Sequence, residues 1–163
     1  MVHAGVQQGG LTEGTGGVRG MAGLGRAGWY ARQALGGLAT VGALGDGLER
    51  RVREIAPDTT VIGAGEGRLP NNAKCATPGL SSETQVMGLD LAGVAVSAGS
   101  ACAAGTAAPP YVLGAMGVPD ELALCGIRVS LGWSSTAAHV DAFVAGWRAL
   151  YDRAGGGVVS AHL

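Results

Sequence analysis

The sequence predicts an α/β domain in which a small sheet is covered by helices. Three observations carry that prediction. Short β-branched or alternating runs recur at Thr59–Ile62, 72–76, Val94–Ser97 and Ile127–Leu131, set off by turn residues. Apolar residues at three- to four-residue steps mark helices between Leu24 and Ile55 and between Val140 and Tyr151. The 163 residues, 47% of them hydrophobic, suffice for one domain with a substantial core and not for two.

Each element has a local reason. Residues 1–17 are glycine-rich, lack apolar periodicity and read as loop. From Leu24 a stripe follows through Ala27, Ala31, Leu35, Leu38, Val41, Leu44, Leu48, Val52 and Ile55. Gly28, Gly36, Gly37, Gly42, Gly45 and Gly47 weaken this helix by about 1 kcal/mol each relative to Ala, and a break is expected near Gly36–Gly37. The helix stops before Pro57. After the Thr59–Ile62 run, a glycine turn and Leu69-Pro70 lead to a second strand at 72–76. Ser81 or Ser82 caps a helix over Glu83–Leu91, which Gly93 ends. Val94–Ser97 then reads as a strand leading into a Gly/Ser/Ala loop. Pro109-Pro110 closes the loop, and Pro110 suits the first turn of a helix through Met116. Ile127–Leu131 alternates as a strand. The last helix starts near Ser135 or Thr136, with Val140, Phe143, Val144, Trp147, Leu150 and Tyr151 on its apolar face. Residues 154–163 read as a frayed tail.

Composition excludes several function classes. The formal net charge is -1, and no basic cluster with interleaved aromatics appears, so nucleic-acid binding has no footprint. No run approaches the roughly 18 apolar residues of a membrane span. Residues 1–5 lack the charged start and apolar core of a signal peptide, so a cytoplasmic location is expected. Cys75, Cys102 and Cys125 are odd in number, widely spaced and without a C-x-x-C pair, which argues against a disulfide framework or a zinc site. His3, His139 and His162 are scattered, and no metal is expected. The 31 glycines are too irregular for collagen, and the chain is too apolar for a disordered protein.

The segment Val96-Ser97-Ala98-Gly99-Ser100-Ala101-Cys102-Ala103-Ala104-Gly105 sets one thiol among small residues after an apolar run. Residue chemistry leaves two readings open here. Cys102 is either an exposed nucleophile on a mobile loop or a small core thiol, since free Cys is among the most often buried residue types.

The residues beyond that loop carry a resemblance. Leu69-Pro70-Asn71, the run Leu89 to Cys102, Pro110-Tyr111-Val112-Leu113, Ala115-Met116-Gly117 and Ile127-Arg128-Val129-Ser130-Leu131-Gly132 resemble, in order and spacing, the C-terminal part of the pyridoxal-phosphate-dependent cysteine desulfurases. His3 to Gln7 and Gly14-Thr15 resemble a degraded form of that family's glycine-rich "GGGQERG…GT" segment. The resemblance spans roughly residues 2–151. It implies the C-terminal small domain of the fold-type I transferase fold, preceded by a glycine-rich loop and a long helix. The implied division is 1–23 as the end of the large domain, 24–56 as a linking helix, 57–154 as the small domain and 155–163 as a flexible tail.

The resemblance also implies roles. Cys102 matches the nucleophile that takes sulfur from cofactor-bound L-cysteine, leaving a persulfide and L-alanine, with the sulfur destined for iron–sulfur cluster, thio-cofactor or tRNA synthesis. The reaction needs the thiolate, while an unperturbed thiol is mostly protonated at neutral pH. A mobile loop would let the same sulfur reach an acceptor or scaffold protein. Arg128 matches the arginine that forks onto the substrate carboxylate, a bidentate task that Lys cannot copy. The bland alternative is an ordinary paired arginine on a strand. Thr15 matches a residue reaching the phosphate of pyridoxal 5'-phosphate in the neighbouring subunit of a homodimer. Its alternative is a hydroxyl in a glycine loop, and the family's arginines nearby are replaced around Gly9, Leu11 and Thr12.

The chain also departs from the family. Lys74 is the single lysine, and by position it is not the Schiff-base residue but a solvated strand-end lysine. His3 does not match the histidine that stacks on the cofactor ring. The expected protein is therefore a cysteine desulfurase fragment, inactive alone and dependent on a complementing N-terminal domain for its cofactor. The alternative is an inactive remnant serving only for dimerisation or for binding sulfur acceptors.

Overall fold

A computed structural model describes residues 17–98 and 110–156. The chain divides into two compact units, Met1–Gly37 and Leu38–Leu163. In the first, helix α1 spans Val18–Ala34 and a single 3-10 turn follows at Leu35–Gly37. None of the α1 residues is buried. Arg26 lies over the rings of Trp29 and Tyr30 and donates to the Tyr30 hydroxyl at 2.9 Å, so the aromatic residues of α1 engage its own arginine. The break expected at Gly36–Gly37 falls in the 3-10 turn, where two consecutive glycines supply no side-chain packing to hold the helix.

The second unit contains α2 (Leu38–Ile55), β1 (Thr60–Val61), β2 (Asn72–Ala76), α3 (Ser82–Leu91), β3 (Ser97–Ala98), α4 (Tyr111–Ala115), α5 (Asp120–Ala123), β4 (Gly126–Ser130) and α6 (Ala137–Arg153). The four strands form one antiparallel sheet in the order β1-β2-β4-β3. Ala73, Ile127 and Val129 on one sheet face meet Leu48 and Val52 of α2, Leu89 of α3 and the apolar stripe of α6 in a single core. Trp147 is 1% exposed at its centre. On the opposite face, among the described residues, Ile62 and Ala76 pack with Leu113 of α4 and Ala123 of α5 at one end. The helical covering of one face accounts for the alternation of buried and exposed residues along Ile127–Ser130 of β4.

Local chemistry accounts for the ends of the helices. The Ser81 hydroxyl accepts from the Thr84 N–H at 3.2 Å and caps α3. At its far end Gly93 adopts φ +77°, and the Val94 N–H turns back to the Leu89 carbonyl at 2.8 Å. His139, on the first turn of α6, accepts from the Thr136 N–H through Nδ1 at 3.3 Å. That position gives this histidine a structural task.

Two elements differ from expectation. The strand expected over Val94–Ser97 pairs only at Ser97–Ala98. Val94 is committed to the end of α3, and Val94 and Val96 pack against the core without joining the ladder. Helix α5 is additional to the expected elements. It is one short turn opened by Pro119, with Asp120 and Glu121 at its positive end.

Candidate functional site

On the face opposite the main core, register decides which side chains meet. Asn72 pairs with Ser130, Lys74 with Arg128 and Ala76 with Gly126, while Arg128 pairs with Ser97 on its other side. Directly opposed residues in antiparallel strands share a face. Lys74, Arg128 and Ser97 therefore form a row across three strands, on the face opposite the main core. The Leu131 N–H donates to the Asn71 carbonyl at 2.8 Å, which makes Asn71–Leu131 a hydrogen-bonded pair. Three residues along, Lys74–Arg128 falls at a non-hydrogen-bonded position, where opposed Cα atoms stand about 4.5 Å apart and side chains are closest.

Arg128 is exposed, and among the described residues no carboxylate or carbonyl accepts from its guanidinium. Lys74 is the third of five residues in β2 and half-buried, which corrects the expectation of a solvated strand-end lysine. The position of its strand between β1 and β4 buries the stem. Burial, and then the neighbouring Arg128 charge, lower the Lys74 pKa. Serine and asparagine complete the row's surroundings: the Ser130 hydroxyl donates to Asn72 Oδ1 at 2.9 Å.

The cysteines separate by environment. Cys75 is 3% exposed on the core face, and burial is the chief cause that pushes its thiol up to about 12. A thiol held protonated there is no nucleophile. Cys125 donates its S–H to the Glu121 carbonyl at 3.4 Å beside α5. Cys102, Thr15, His3 and His162 lie outside the described residues, within 1–16, 99–109 and 157–163. Among the described residues no group of three His, Cys, Asp or Glu could hold a metal ion. No described helix is long and apolar enough to cross a membrane.

The described residues do not fit a pyridoxal phosphate site. Lys74 faces a guanidinium, no described carboxylate acts on it, and His139 is spent on capping α6. Sequence reasoning missed the placement of Lys74 beside Arg128. The alternation in Asn72–Ala76 and in Gly126–Ser130 sets both residues on outward positions, but register between residues 54 positions apart is not written in either strand alone.

A four-stranded antiparallel sheet with these helices and an outward arginine on β4 is the C-terminal small domain of the fold-type I pyridoxal-phosphate-dependent transferases. The structure of a NifS-like protein from Rickettsia africae superposes on 93% of this chain with a TM-score of 0.75 and 27% identity, the match covering 39% of that protein. A second NifS-like protein gives a TM-score of 0.73 at 28% identity, over 94% of this chain and 38% of its own. No family model matches the chain. It is 42% identical over 142 residues to a cysteine desulfurase of Cereibacter sphaeroides, covering 86% of this chain and 36% of that one. A cysteine desulfurase of Klebsiella pneumoniae is 33% identical over 153 residues, 94% of this chain and 38% of its own. The cysteine desulfurase NifS of Azotobacter vinelandii is 34% identical over 142 residues, covering 86% and 35% respectively. The chain belongs to the cysteine desulfurase family and corresponds to a C-terminal portion of it, spanning little more than a third of the length of these relatives.

Proposed function

We propose that this chain supplies the sulfur-accepting part of a cysteine desulfurase, with Cys102 as the sulfur acceptor and Arg128 as the clamp for the carboxylate of L-cysteine. The observation that carries the reading is the outward Arg128 without a carboxylate partner among the described residues, one strand from Ser97. Cys102 stands five positions after Ser97, so the covalent chain tethers it within roughly 17 Å of the arginine's neighbour. The burial of Cys75 and the bond from Cys125 to the Glu121 carbonyl support giving the chemistry to Cys102.

In this reading the guanidinium orients the substrate by two parallel hydrogen bonds to its carboxylate. The sulfur ends as a persulfide on Cys102, the organic product is L-alanine, and an acceptor protein removes the sulfur. Pyridoxal phosphate supplies the electron sink of the reaction, and another polypeptide segment holds it, in a homodimer or through a complementing large domain. Thr15 contributes to its phosphate from this chain. In this reading the protein acts in the cytoplasm.

The test mixes the 163-residue chain with a separately expressed, lysine-bearing large domain of a cysteine desulfurase, pyridoxal phosphate, L-cysteine and a thiol reductant. Sulfide release is measured. Release that disappears in Cys102→Ala and falls at least tenfold in Arg128→Gln, with both variants folded, supports the reading. Equal release with Cys102→Ala overturns it. Absorbance of the isolated chain with pyridoxal phosphate is a second check: a stable aldimine band would overturn the assignment of the cofactor to another segment.

A further inference from the structure

Among the described residues, the sheet neighbours of Arg128 offer no acceptor that matches its guanidinium fork. Across the ladder it opposes Lys74 on β2 and Ser97 on β3. The lysine ammonium carries three donors and no acceptor, and a serine hydroxyl is a single oxygen. Two residues along the ladder, the pair Ala76–Gly126 has no polar side chain. In the pair Asn72–Ser130 on the other side, the serine hydroxyl donates to Asn72 Oδ1 at 2.9 Å, and the Asn72 amide donates to Asn71 Oδ1 at 3.3 Å. Other arginines of the same unit face carboxylates: Arg51 meets Asp141 at 2.6 Å, and Arg68 meets Glu49 at 2.6 Å.

Lys74 also repels what it faces. Like charges directly opposed on an antiparallel pair are destabilising, and this pair occupies the closer, non-hydrogen-bonded kind of site. Lys74 is half-buried and Arg128 is exposed, so the guanidinium is the group with room to give way. Arg128 is the charged group that acts on Lys74. A long side chain confined before its ligand arrives loses less freedom when the ligand binds.

We infer that Lys74 is a positioning residue: it denies Arg128 a partner within the sheet and turns the guanidinium away from β2, which keeps the fork free for the single carboxylate of L-cysteine. The inference rests on the reading of Arg128 as a carboxylate clamp. Lys74 acts through Arg128 and needs no contact with the substrate. An acceptor at position 74 would instead draw the guanidinium down onto β2 by the same two-pronged bonding that the carboxylate uses.

The experiment treats the full chain with 2,3-butanedione, which modifies free guanidinium groups, and follows the rate at Arg128 by peptide mass mapping. In Lys74→Gln, which supplies an acceptor, the rate is expected to fall about fivefold. Lys74→Arg, which keeps the charge and offers no acceptor, is expected to stay within about twofold of the wild type. Urea denaturation of Lys74→Gln, Arg128→Gln and the double variant shows that each is folded and is expected to give a repulsive coupling between the two residues. An unchanged rate in Lys74→Gln, or a coupling that is zero or attractive, overturns the inference. With the complementing large domain, Lys74→Gln is expected to raise KM for L-cysteine about fivefold and to keep kcat within about twofold. A loss confined to kcat overturns the inference as well. A KM untouched by Arg128→Gln would instead strike the underlying clamp reading and leave the modification rates and the coupling standing, so the two failures are distinct.

Discussion

The indole N–H of Trp147 donates to Gln85 Oε1 at 2.9 Å inside the core, and the Gln85 amide donates onward to the Leu80 carbonyl at 2.8 Å and the Cys125 carbonyl at 2.9 Å. Gln85 is 1% exposed, so one side chain satisfies a donor from α6 and two carbonyls that flank α3 and β4. Replacing it by Leu keeps the volume and strands three polar groups. An unsatisfied buried group costs roughly 1–3 kcal/mol, so Gln85→Leu is expected to destabilise the protein by about 3 kcal/mol or more. Trp147→Phe, which strands one acceptor, should cost less. Urea denaturation midpoints of the two variants test that order.

Glu49 is 4% exposed, and Arg68 grips both of its carboxylate oxygens, at 2.6 and 2.8 Å. Removing Arg68 leaves the buried carboxylate facing the exposed Arg53 at 3.9 Å, which places the cost at the lower end of the roughly 3–5 kcal/mol for breaking a buried pair. Arg68→Ala is expected to fall in that range. Arg68→Ala made in a Glu49→Gln background should cost far less. A double-mutant cycle reads the difference, and additive effects would contradict the geometry.

Helix α3 passes α6 at Gly88, where an added Cβ would overlap Leu150 Cδ2. Leu150 is 6% exposed and has little room to withdraw. Gly88→Ala is therefore expected to lose about 1–3 kcal/mol through overpacking, despite the better helix propensity of alanine. At Gly146 the nearest atom, Leu89 Cδ2, lies 3.3 Å away, so Gly146→Ala should be milder. Thermal denaturation of both variants distinguishes the two contacts.

Burial, reinforced by the Glu49 charge, raises the Cys75 thiol from 9.0 to about 12. Between those values the unfolded chain releases the proton and the folded chain keeps it. Stability carried by the neutral thiol is complete below pH 9 and is lost as pH rises through that window. Cys75→Ala should show a shallower fall of the urea midpoint between pH 9 and 12 than the wild type. In the native state at pH 8, iodoacetamide should leave Cys75 unmodified.

The helices and strands were largely legible because their signals are local. Ser81, Gly93, Pro110 and the Ile127–Leu131 alternation each act within a few residues, and the structure sets element ends beside them. The Val94–Val96 run misled because β-branched apolar residues are equally at home in a ladder or packed beside one. At the site, Arg128 was legible through its strand and through the family resemblance. Lys74 was not, since its role depends on which strand lies next to it.

The sequence by itself determined the α/β class, the family, the break at Gly36–Gly37, the caps and the strands that carry Lys74 and Arg128. Each follows from residue type, period or motif within a short window. Tertiary structure alone decided that β2 lies beside β4 in the register that opposes those two cations. It also decided that Cys75 is an inert core thiol and that Gln85 joins α3 to α6. These are contacts between segments 40 to 62 residues apart, and they are selected by which faces bury together in one core.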